Sequence, residues 1–234
     1  EWFWQKDRKA LLRSVLIGIL LSILAAAAVA LPFFNEQNGI PWLISHYGDT
    51  MGYYNYASVN AANLFFLFGR NWTGIADPAP FLLRLTGLFV LLIPTAVFLW
   101  QGRKSSGEEK LAKSLLNEAP LLAALIPALV TLFPMSFSLQ GTLLMVSSFL
   151  MVSWQYVRGK KAENLSLMAG VLLTLFFVLG VMMHERYLFL AVSLLTLAYV
   201  LRRDRRLLLL LICVTALCFL NSGVALDRGV RIGG

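Results

Sequence analysis

The sequence predicts an all-α polytopic membrane protein with about seven transmembrane helices, its N-terminus inside and its C-terminus outside. Of the 234 residues, 59% are hydrophobic and only 14% are charged, whereas soluble domains carry about 25% charged residues. The apolar residues form blocks of about 15–22 residues, which suits helices that cross a hydrocarbon core about 30 Å thick. The basic residues lie between these blocks and not along one face, so nucleic acid is not an expected partner despite the net charge of +8.

The apolar blocks define the predicted spans in order, and we expect them to form a single transmembrane domain over residues 1–234. The predicted spans cover residues 14–34, 81–100, 120–133, 142–157, 165–183, 188–201 and 207–220. Pro120, Pro127 and Pro134 punctuate the third span, so it should kink. An aromatic and basic segment precedes the first span, and 'EEKLAKSLLNEA' predicts a short surface helix after the second. We expect residues 221–234 to form a polar tail.

The placement of the basic residues predicts the orientation of the chain. Fifteen of the twenty Lys and Arg residues fall in the segments assigned to the cytoplasm. The other five are Arg70, Arg84, Arg186, Arg228 and Arg231. Cytoplasmic loops are rich in Lys and Arg, so seven spans satisfy this rule at every short loop, whereas eight would break it. Polar chemistry then concentrates on the extracytoplasmic face of a cell (inner) membrane.

The chain start and the cysteines carry less information. Basic residues follow Glu1 at once, so no signal peptide is visible. A start without Met suggests part of a longer polypeptide, although processing would explain it equally well. Cys213 and Cys218 lie five residues apart in one apolar block, so they should occupy different faces of a helix and form neither a disulfide nor a metal pair. With only two histidines and no clustered thiols, no zinc site is expected.

A charged corner between the fifth and sixth spans is the first candidate site. Residues 183–187 read Met-His-Glu-Arg-Tyr, with long apolar runs on both sides. A charged cluster where two spans end is costly to place, and such residues mark function by default. The alternative is a short loop in which Arg186 and Tyr187 anchor the helix ends at the interface.

A second constellation lies in the extracytoplasmic loop expected over residues 35–80. If residues 55–68 form an interfacial helix that ends at Gly69, then Tyr56, Asn60 and Asn63 share one polar stripe. Amide groups beside aromatic rings suit sugars, because amides form paired hydrogen bonds with hydroxyls and rings cover the C–H faces. The alternative is an ordinary interfacial helix with Tyr and Asn at headgroup depth.

Two further polar features lie near the start of the second span. Asn71-Trp72-Thr73 matches an N-glycosylation acceptor, which matters only in a eukaryotic host. Arg84 lies one turn inside the span, where it either extends outward to water or meets an anionic lipid phosphate.

The segments 'YNYASVNAANLFFLFGRNW' and 'VMMHERYLFL' carry a family resemblance. Together they resemble the C-terminal half of bacterial glycosyltransferases of the GT-C superfamily, which are relatives of the protein O-mannosyltransferases that use polyprenyl-phosphate sugars. The resemblance extends over about residues 30–225. It implies inverting transfer of a hexose from a polyprenyl-phosphate donor to an acceptor on the outer face. The implied partners are membrane lipid and the lipid-linked donor. No cofactor is certain, and a divalent cation is left open.

The resemblance also implies site roles. In such enzymes an acidic residue of the first large outer loop acts as the base, and this chain has no such loop ahead of its first span. We therefore expect an N-terminal half or a second chain to supply that residue, unless this chain acts alone. The candidate residues are Glu185 and Asp49 for catalysis; His184, Arg186, Arg84 and Arg70 for the lipid phosphate; and Tyr56, Asn60, Asn63, Tyr187 and Gln140 for the sugar or acceptor. The two motifs should meet at the outer surface. A transporter or flippase for a lipid-linked anion and a non-catalytic membrane subunit are the alternatives.

Overall fold

The computed structural model describes residues 8–31, 45, 48–49, 53–106, 118–159 and 164–233. This part of the chain is mostly helical, which confirms the all-α class. The chain divides into two compact units, Glu1–Asn55 and Tyr56–Gly234. The first unit contains helix α1 (Arg8–Ala30), which includes most of the first predicted span and whose side chains at positions 16–29 are exposed.

The second unit contains the remaining helices and strands of the described chain. In order they are β1 (Ser58–Val59), α2 (Leu64–Leu67), α3 (Phe81–Ser106), α4 (Ala119–Ala123), α5 (Ile126–Val130), α6 (Phe137–Gly159), α7 (Leu165–Leu179), β2 (Met183–His184), α8 (Leu188–Arg202) and α9 (Arg205–Gly233). Helices α3, α6, α7 and α8 lie on the second, fourth, fifth and sixth predicted spans. The surface helix predicted from 'EEKLAKSLLNEA' falls outside the described residues, apart from its last two positions.

Two helices of the described chain are long and apolar enough to cross a membrane, by length and composition. They are Phe137–Gly159, which is α6, and Arg205–Leu226, which is most of α9. The other apolar helical stretches are shorter: Leu16–Val29, Phe81–Val97, Ala119–Val130 and Leu165–Leu179. The count of seven spans therefore stays a prediction.

The third predicted span is broken into α4 and α5, as its prolines predict. The break falls at residues 124–125, just before Pro127, whose ring and missing N–H prevent a continuous helix. Ala128 lies in the first turn of α5, where a backbone N–H has no partner within the helix. Its N–H donates to Ser147 Oγ of α6 at 2.9 Å. The backbone freed by the break is thus satisfied inside the protein.

Helix α9 is longer than predicted. The prediction of a polar tail over residues 221–234 is wrong for the described part, because the helix continues to Gly233. Asn221 lies within the helix and not at its end. Its side chain packs against the rest of the second unit and is only 2% exposed. In the same helix Cys218 is buried and Cys213 is exposed, which confirms that the two thiols occupy different faces.

The helix predicted over residues 55–68 is also wrong. Only Leu64–Leu67 is helical, because the backbone before it bonds to distant segments. The N–H of Ala57 donates to the Thr73 carbonyl at 2.7 Å, and the Ser58 carbonyl accepts from the N–H of Trp72 at 3.0 Å. The predicted end at Gly69 is confirmed: its φ of 68° is left-handed, and its N–H donates to the Phe66 carbonyl at 2.9 Å.

Glycines permit the close packing that places the corner. A Cβ at Gly170 of α7 would lie 2.9 Å from Leu195 Cδ2 of α8. A Cβ at Gly141 of α6 would lie 2.8 Å from Val181 Cγ1 and 3.0 Å from the Val181 nitrogen. Val181 lies two residues before β2, so the contact with Gly141 sets where the chain emerges from α7.

Candidate functional site

The two motifs singled out in the sequence lie side by side. We call residues 183–187 the corner and residues 56–63 the shelf. Strands β1 and β2 pair in parallel, with Ser58 opposite Met183 and Val59 opposite His184. The bonding extends on both sides, since the N–H of Met182 donates to the Tyr56 carbonyl at 3.1 Å and a further bridge joins Asn60 to His184. The expectation that the motifs meet is therefore confirmed.

Backbone strain accompanies this pairing. Asn60 has a φ of 54° and Met182 a φ of 58°, both in the left-handed region. Asn tolerates that region, but Met rarely adopts it. Left-handed residues other than glycine cost about 1–3 kcal/mol each, and they cluster at active sites and ligand clamps. Two of the four non-glycine residues with a left-handed φ in the described chain lie at this junction, and the other two are Trp72 and Arg203.

Asn63 acts within the protein. Its side chain is 1% exposed. Its Oδ1 accepts from the N–H of Phe66 at 3.0 Å and so caps α2, while its Nδ2 donates to the Gly180 carbonyl at 3.1 Å. Both ends of the amide are thus used to hold the shelf against the residue that ends α7. This amide positions the site and does not face a ligand.

Tyr56 and Asn60, two partly exposed residues of the shelf, form an amide and aromatic cluster with Asn71 and Trp72, two residues outside the shelf that are absent from our candidates. Asn60 Oδ1 accepts from Asn71 Nδ2 at 2.9 Å and from Trp72 Nε1 at 3.2 Å. The rings of Tyr56 and Trp72 meet edge to face, with centroids 5.1 Å apart. Trp72 is 47% exposed. The sequence signal for Asn71 and Trp72 was the triplet read as a glycosylation acceptor.

His184 is buried in the corner and carries no charge near neutral pH. It is 6% exposed, and burial lowers its pKa, with a further lowering by Arg186 and an opposing effect of Glu185. Its ring meets that of Tyr187 edge to face at 5.3 Å, and its Nδ1 lies 4.0 Å from Glu185 Oε2. A neutral imidazole can donate a hydrogen bond to a phosphate but cannot provide positive charge.

Arg186 and Tyr187 line a cavity of about 600 Å³ between the corner and helices α7 and α8. The other lining residues are Leu173, Phe176, Phe177, Met183, Phe189, Leu190 and Ser193. The walls are thus almost entirely apolar, with one guanidinium, one phenol and one hydroxyl. Such a cavity fits an amphipathic ligand that has an apolar chain and an anionic group.

Arg84 is committed to the protein interior, which corrects both of its predicted roles. It is 7% exposed, so it does not extend outward to water. Its Nη1 donates to the Leu132 carbonyl just after α5 at 2.7 Å, and its guanidinium lies 5.6 Å from the centre of the Phe81 ring. It is not among the residues that line the cavity. Arg84 therefore ties α3 to the end of the broken span.

The remaining candidates lie away from the cavity or outside the second unit. Gln140 is completely buried in α6, and both polar atoms of its amide lack a hydrogen-bond partner in the described chain. Arg70 is half-buried in the turn after α2 and does not line the cavity. Asp49 belongs to the first unit, where its Oδ2 accepts from Ser45 Oγ at 3.3 Å. His46 falls outside the described residues.

Helix α9 contributes a contact that the sequence did not indicate. Asn221 Oδ1 accepts from the N–H of Ala62 in the shelf at 2.7 Å. Its Nδ2 donates to the Glu185 carbonyl in the corner at 3.0 Å. One side chain thus contacts both halves of the site.

Among the described residues, no group of three or more His, Cys, Asp and Glu side chains could hold a metal ion. Comparison with protein-family models, with curated proteins and with solved structures yields no match.

Proposed function

We propose that this chain is a glycosyltransferase, or a module of one, that uses a polyprenyl-phosphate-linked hexose on the extracytoplasmic face of the cell (inner) membrane. The cavity beside the corner carries this proposal. Its apolar walls suit the first isoprene units of a lipid carrier, and Arg186 suits the phosphate. The resemblance of the corner and the shelf to GT-C enzymes supports the same substrate class.

A multi-pass membrane location is consistent with a glycosyltransferase that uses a lipid-linked donor. Helices α6 and α9 have the length and composition of membrane spans. Large apolar side chains on other helices are exposed as well, including Ile93 of α3 at 66% and Leu190 of α8 at 59%. Contiguous exposed apolar surface is unfavourable in water and favourable against lipid tails. We propose seven spans with the corner and the shelf on the outer side.

The proposed reaction is an inverting displacement at the anomeric carbon. The acceptor hydroxyl oxygen forms a bond to C1 of the hexose, the bond from C1 to the phosphate oxygen breaks, and polyprenyl phosphate departs. The hydroxyl proton passes to a carboxylate base. Arg186 stabilises the phosphate dianion as it leaves, because a guanidinium pairs with two phosphate oxygens at once.

The other corner residues take supporting roles. The Tyr187 phenol, which lines the cavity, donates a hydrogen bond to the phosphate or contacts the sugar. His184, which the sequence predicted as a phosphate ligand, is buried and does not line the cavity, so its role in this proposal is to support the ring of Tyr187. Glu185, whose side chain is 25% exposed, is the candidate base within the second unit. An acidic residue on an N-terminal half or a partner chain is the other source of the base.

The amide and aromatic cluster of Tyr56, Asn60, Asn71 and Trp72 suits the sugar or the acceptor. Trp72 and Tyr56 offer ring faces, and the amides of Asn60 and Asn71 lie beside them. This surface replaces the helical stripe expected from the sequence, and it retains Tyr56 and Asn60 from the predicted set. Asn63 acts as a buried support in this proposal, and Gln140, which is buried and does not line the cavity, has no role in it.

Binding of the carrier tests the proposal even where a second chain supplies the base. The full chain in lipid nanodiscs is titrated with a short-chain polyprenyl phosphate, and the complex is measured by native mass spectrometry. We expect Arg186→Ala to weaken binding about 10- to 100-fold, since hydrogen bonds to charged groups contribute ~1.5–3 kcal/mol. Arg205→Ala, an exposed arginine at the start of α9, is the matched control. The proposal fails if the wild-type chain does not bind the carrier or if both variants bind alike.

A transporter or flippase for a lipid-linked anion is the second candidate. The break between α4 and α5 favours it, because discontinuous membrane helices recur in transporters. In proteoliposomes with a fluorescent lipid-linked phosphate, a flippase would accelerate exchange between leaflets. Carrier binding without accelerated exchange would favour the glycosyltransferase.

A further inference from the structure

Asn221 is a buried amide in the mostly apolar helix α9. It lies within Arg205–Leu226, the stretch of α9 that is long and apolar enough to cross a membrane, and it is 2% exposed. Placing an amide in such surroundings is costly unless its donor and its acceptor are both satisfied. Here each end has one partner, and each partner is a backbone group of a different motif.

The two backbone groups that bind Asn221 each lie next to a residue of the candidate site. The Ala62 N–H, which donates to Asn221 Oδ1 at 2.7 Å, directly precedes Asn63, the cap that joins the shelf to Gly180. The Glu185 carbonyl, which accepts from Asn221 Nδ2 at 3.0 Å, opens the 3₁₀ turn Glu185–Tyr187. Arg186, the cation that lines the cavity, is the next residue of that turn.

We infer that Asn221 is a positioning residue that fixes the shelf and the corner relative to each other and aims Arg186 at the cavity. It acts through the backbone of Glu185 and does not itself line the cavity. This inference rests on the proposed function for the meaning of the cavity. We call the two hydrogen bonds by which Asn221 joins the shelf to the corner the clamp. The clamp is a property of the fold and can be measured separately from ligand binding.

Hydrogen–deuterium exchange of the full chain in nanodiscs measures the clamp without any ligand. In Asn221→Ala, we expect amide exchange in peptides that cover residues 57–63 and 183–188 to accelerate roughly tenfold, because each segment loses one buried hydrogen bond. Cys213→Ala is the control, since Cys213 is an exposed residue of α9 that lies on another face of the helix. It should leave the exchange of both peptides unchanged. Unchanged exchange in Asn221→Ala, or equal acceleration in the control, would overturn the inference.

Asn221→Asp separates positioning from general stability. An ionised carboxylate still accepts from the Ala62 N–H but has no proton to give to the Glu185 carbonyl, whereas the protonated acid regains a donor. Lowering the pH from 8 to 5 increases the fraction of that carboxyl that is protonated. We expect the variant to bind polyprenyl phosphate roughly tenfold more weakly than the wild type at pH 8, and the ratio of the two affinities to approach one at pH 5.

The outcomes of the pH titration are distinct. A pH-independent ratio, in a variant that binds weakly throughout, would indicate a merely structural role and would reject the positioning inference. A variant that binds like the wild type at both pH values would reject it as well. If the wild-type chain binds no carrier at all, the proposed function fails, and the exchange experiment alone then decides whether Asn221 clamps the two segments.

Discussion

Two hydrogen bonds in opposite directions join Asn60 to Asn71, and they use both ends of the Asn71 amide. The N–H of Asn60 donates to Asn71 Oδ1 at 2.8 Å, and Asn71 Nδ2 donates back to Asn60 Oδ1 at 2.9 Å. This reciprocal pair holds Asn60 in its left-handed conformation, one residue after β1. The pairing of β1 with the corner therefore depends on Asn71, which lies outside both the shelf and the corner.

Replacement of Asn71 should loosen this pairing. We expect Asn71→Ala to lower the free energy of unfolding by about 1–3 kcal/mol, because it leaves the backbone N–H of Asn60 without its acceptor. Thermal unfolding in detergent measures the change. Thr73→Ala is the control, since it keeps the Thr73 carbonyl that accepts from the N–H of Ala57. Equal melting temperatures for Asn71→Ala and the wild type would contradict the role of the pair.

Arg84 and Arg186 should differ in role, with Arg84 contributing to stability and Arg186 to binding. We expect Arg84→Met to destabilise the protein by about 1–3 kcal/mol, because the Leu132 carbonyl loses its donor. The affinity of folded Arg84→Met for polyprenyl phosphate should stay within about twofold of the wild type. Arg186→Ala, by contrast, should lose affinity while its free energy of unfolding changes little. Melting temperatures and native mass spectrometry of the same samples provide both readouts. A large loss of affinity in Arg84→Met would return Arg84 to the phosphate site.

A methyl group added at Gly141 should displace the corner. Its Cβ would lie 2.8 Å from Val181 Cγ1 and 3.0 Å from the backbone nitrogen of Val181, so the backbone must shift. Overpacking of this kind costs about 1–3 kcal/mol, and we expect weaker carrier binding as well. Gly223→Ala is the control: nothing lies within 4 Å of its Cβ in α9, so it should stabilise the helix by about 0.5–1 kcal/mol. Similar effects of both substitutions would refute the close contact.

The buried histidine should make stability depend on pH. The folded protein holds the pKa of His184 below its ordinary value of 6.5, chiefly by burial. The unfolded chain therefore binds a proton at a higher pH than the folded chain does. The stability is present above the unfolded pKa and is lost as the pH falls from about 6.5 toward the lowered folded value. Melting temperatures between pH 5 and 8 should decline on the acid side, and His184→Gln should reduce that decline. An identical pH profile in the variant would show that His184 does not titrate in this way.

Local signals predicted the helices well, and long-range contacts caused the errors. Apolar runs and Pro127 act within one or two helical turns, so the positions of α3, α6, α7 and α8 and the break after α4 were readable from sequence. The stripe at Tyr56, Asn60 and Asn63 has helical spacing, but the backbone there bonds to the corner and to residues 71–73. Tertiary bonding of that kind overrides local propensity.

The same distinction between local signals and long-range contacts applies to the residues of the candidate site. Arg186, Tyr187, His184 and Glu185 were evident because their chemistry is exceptional between apolar runs. Asn221 was misread as the start of a tail, since its polarity alone does not reveal that two backbone groups surround it. Arg84 was misassigned for a related reason, because the carbonyl of Leu132 became available to it only through the fold.

The clamp formed by Asn221 also bears on how the protein is made. The ribosome synthesises the shelf first, the corner more than a hundred residues later, and Asn221 later still. Contacts between segments so distant in sequence form late, after the entropy of closing the intervening loop has been lost. A nascent chain whose α9 has not yet been synthesised would thus lack both hydrogen bonds of Asn221. The shelf and the corner would then be clamped together only after α9 has been added.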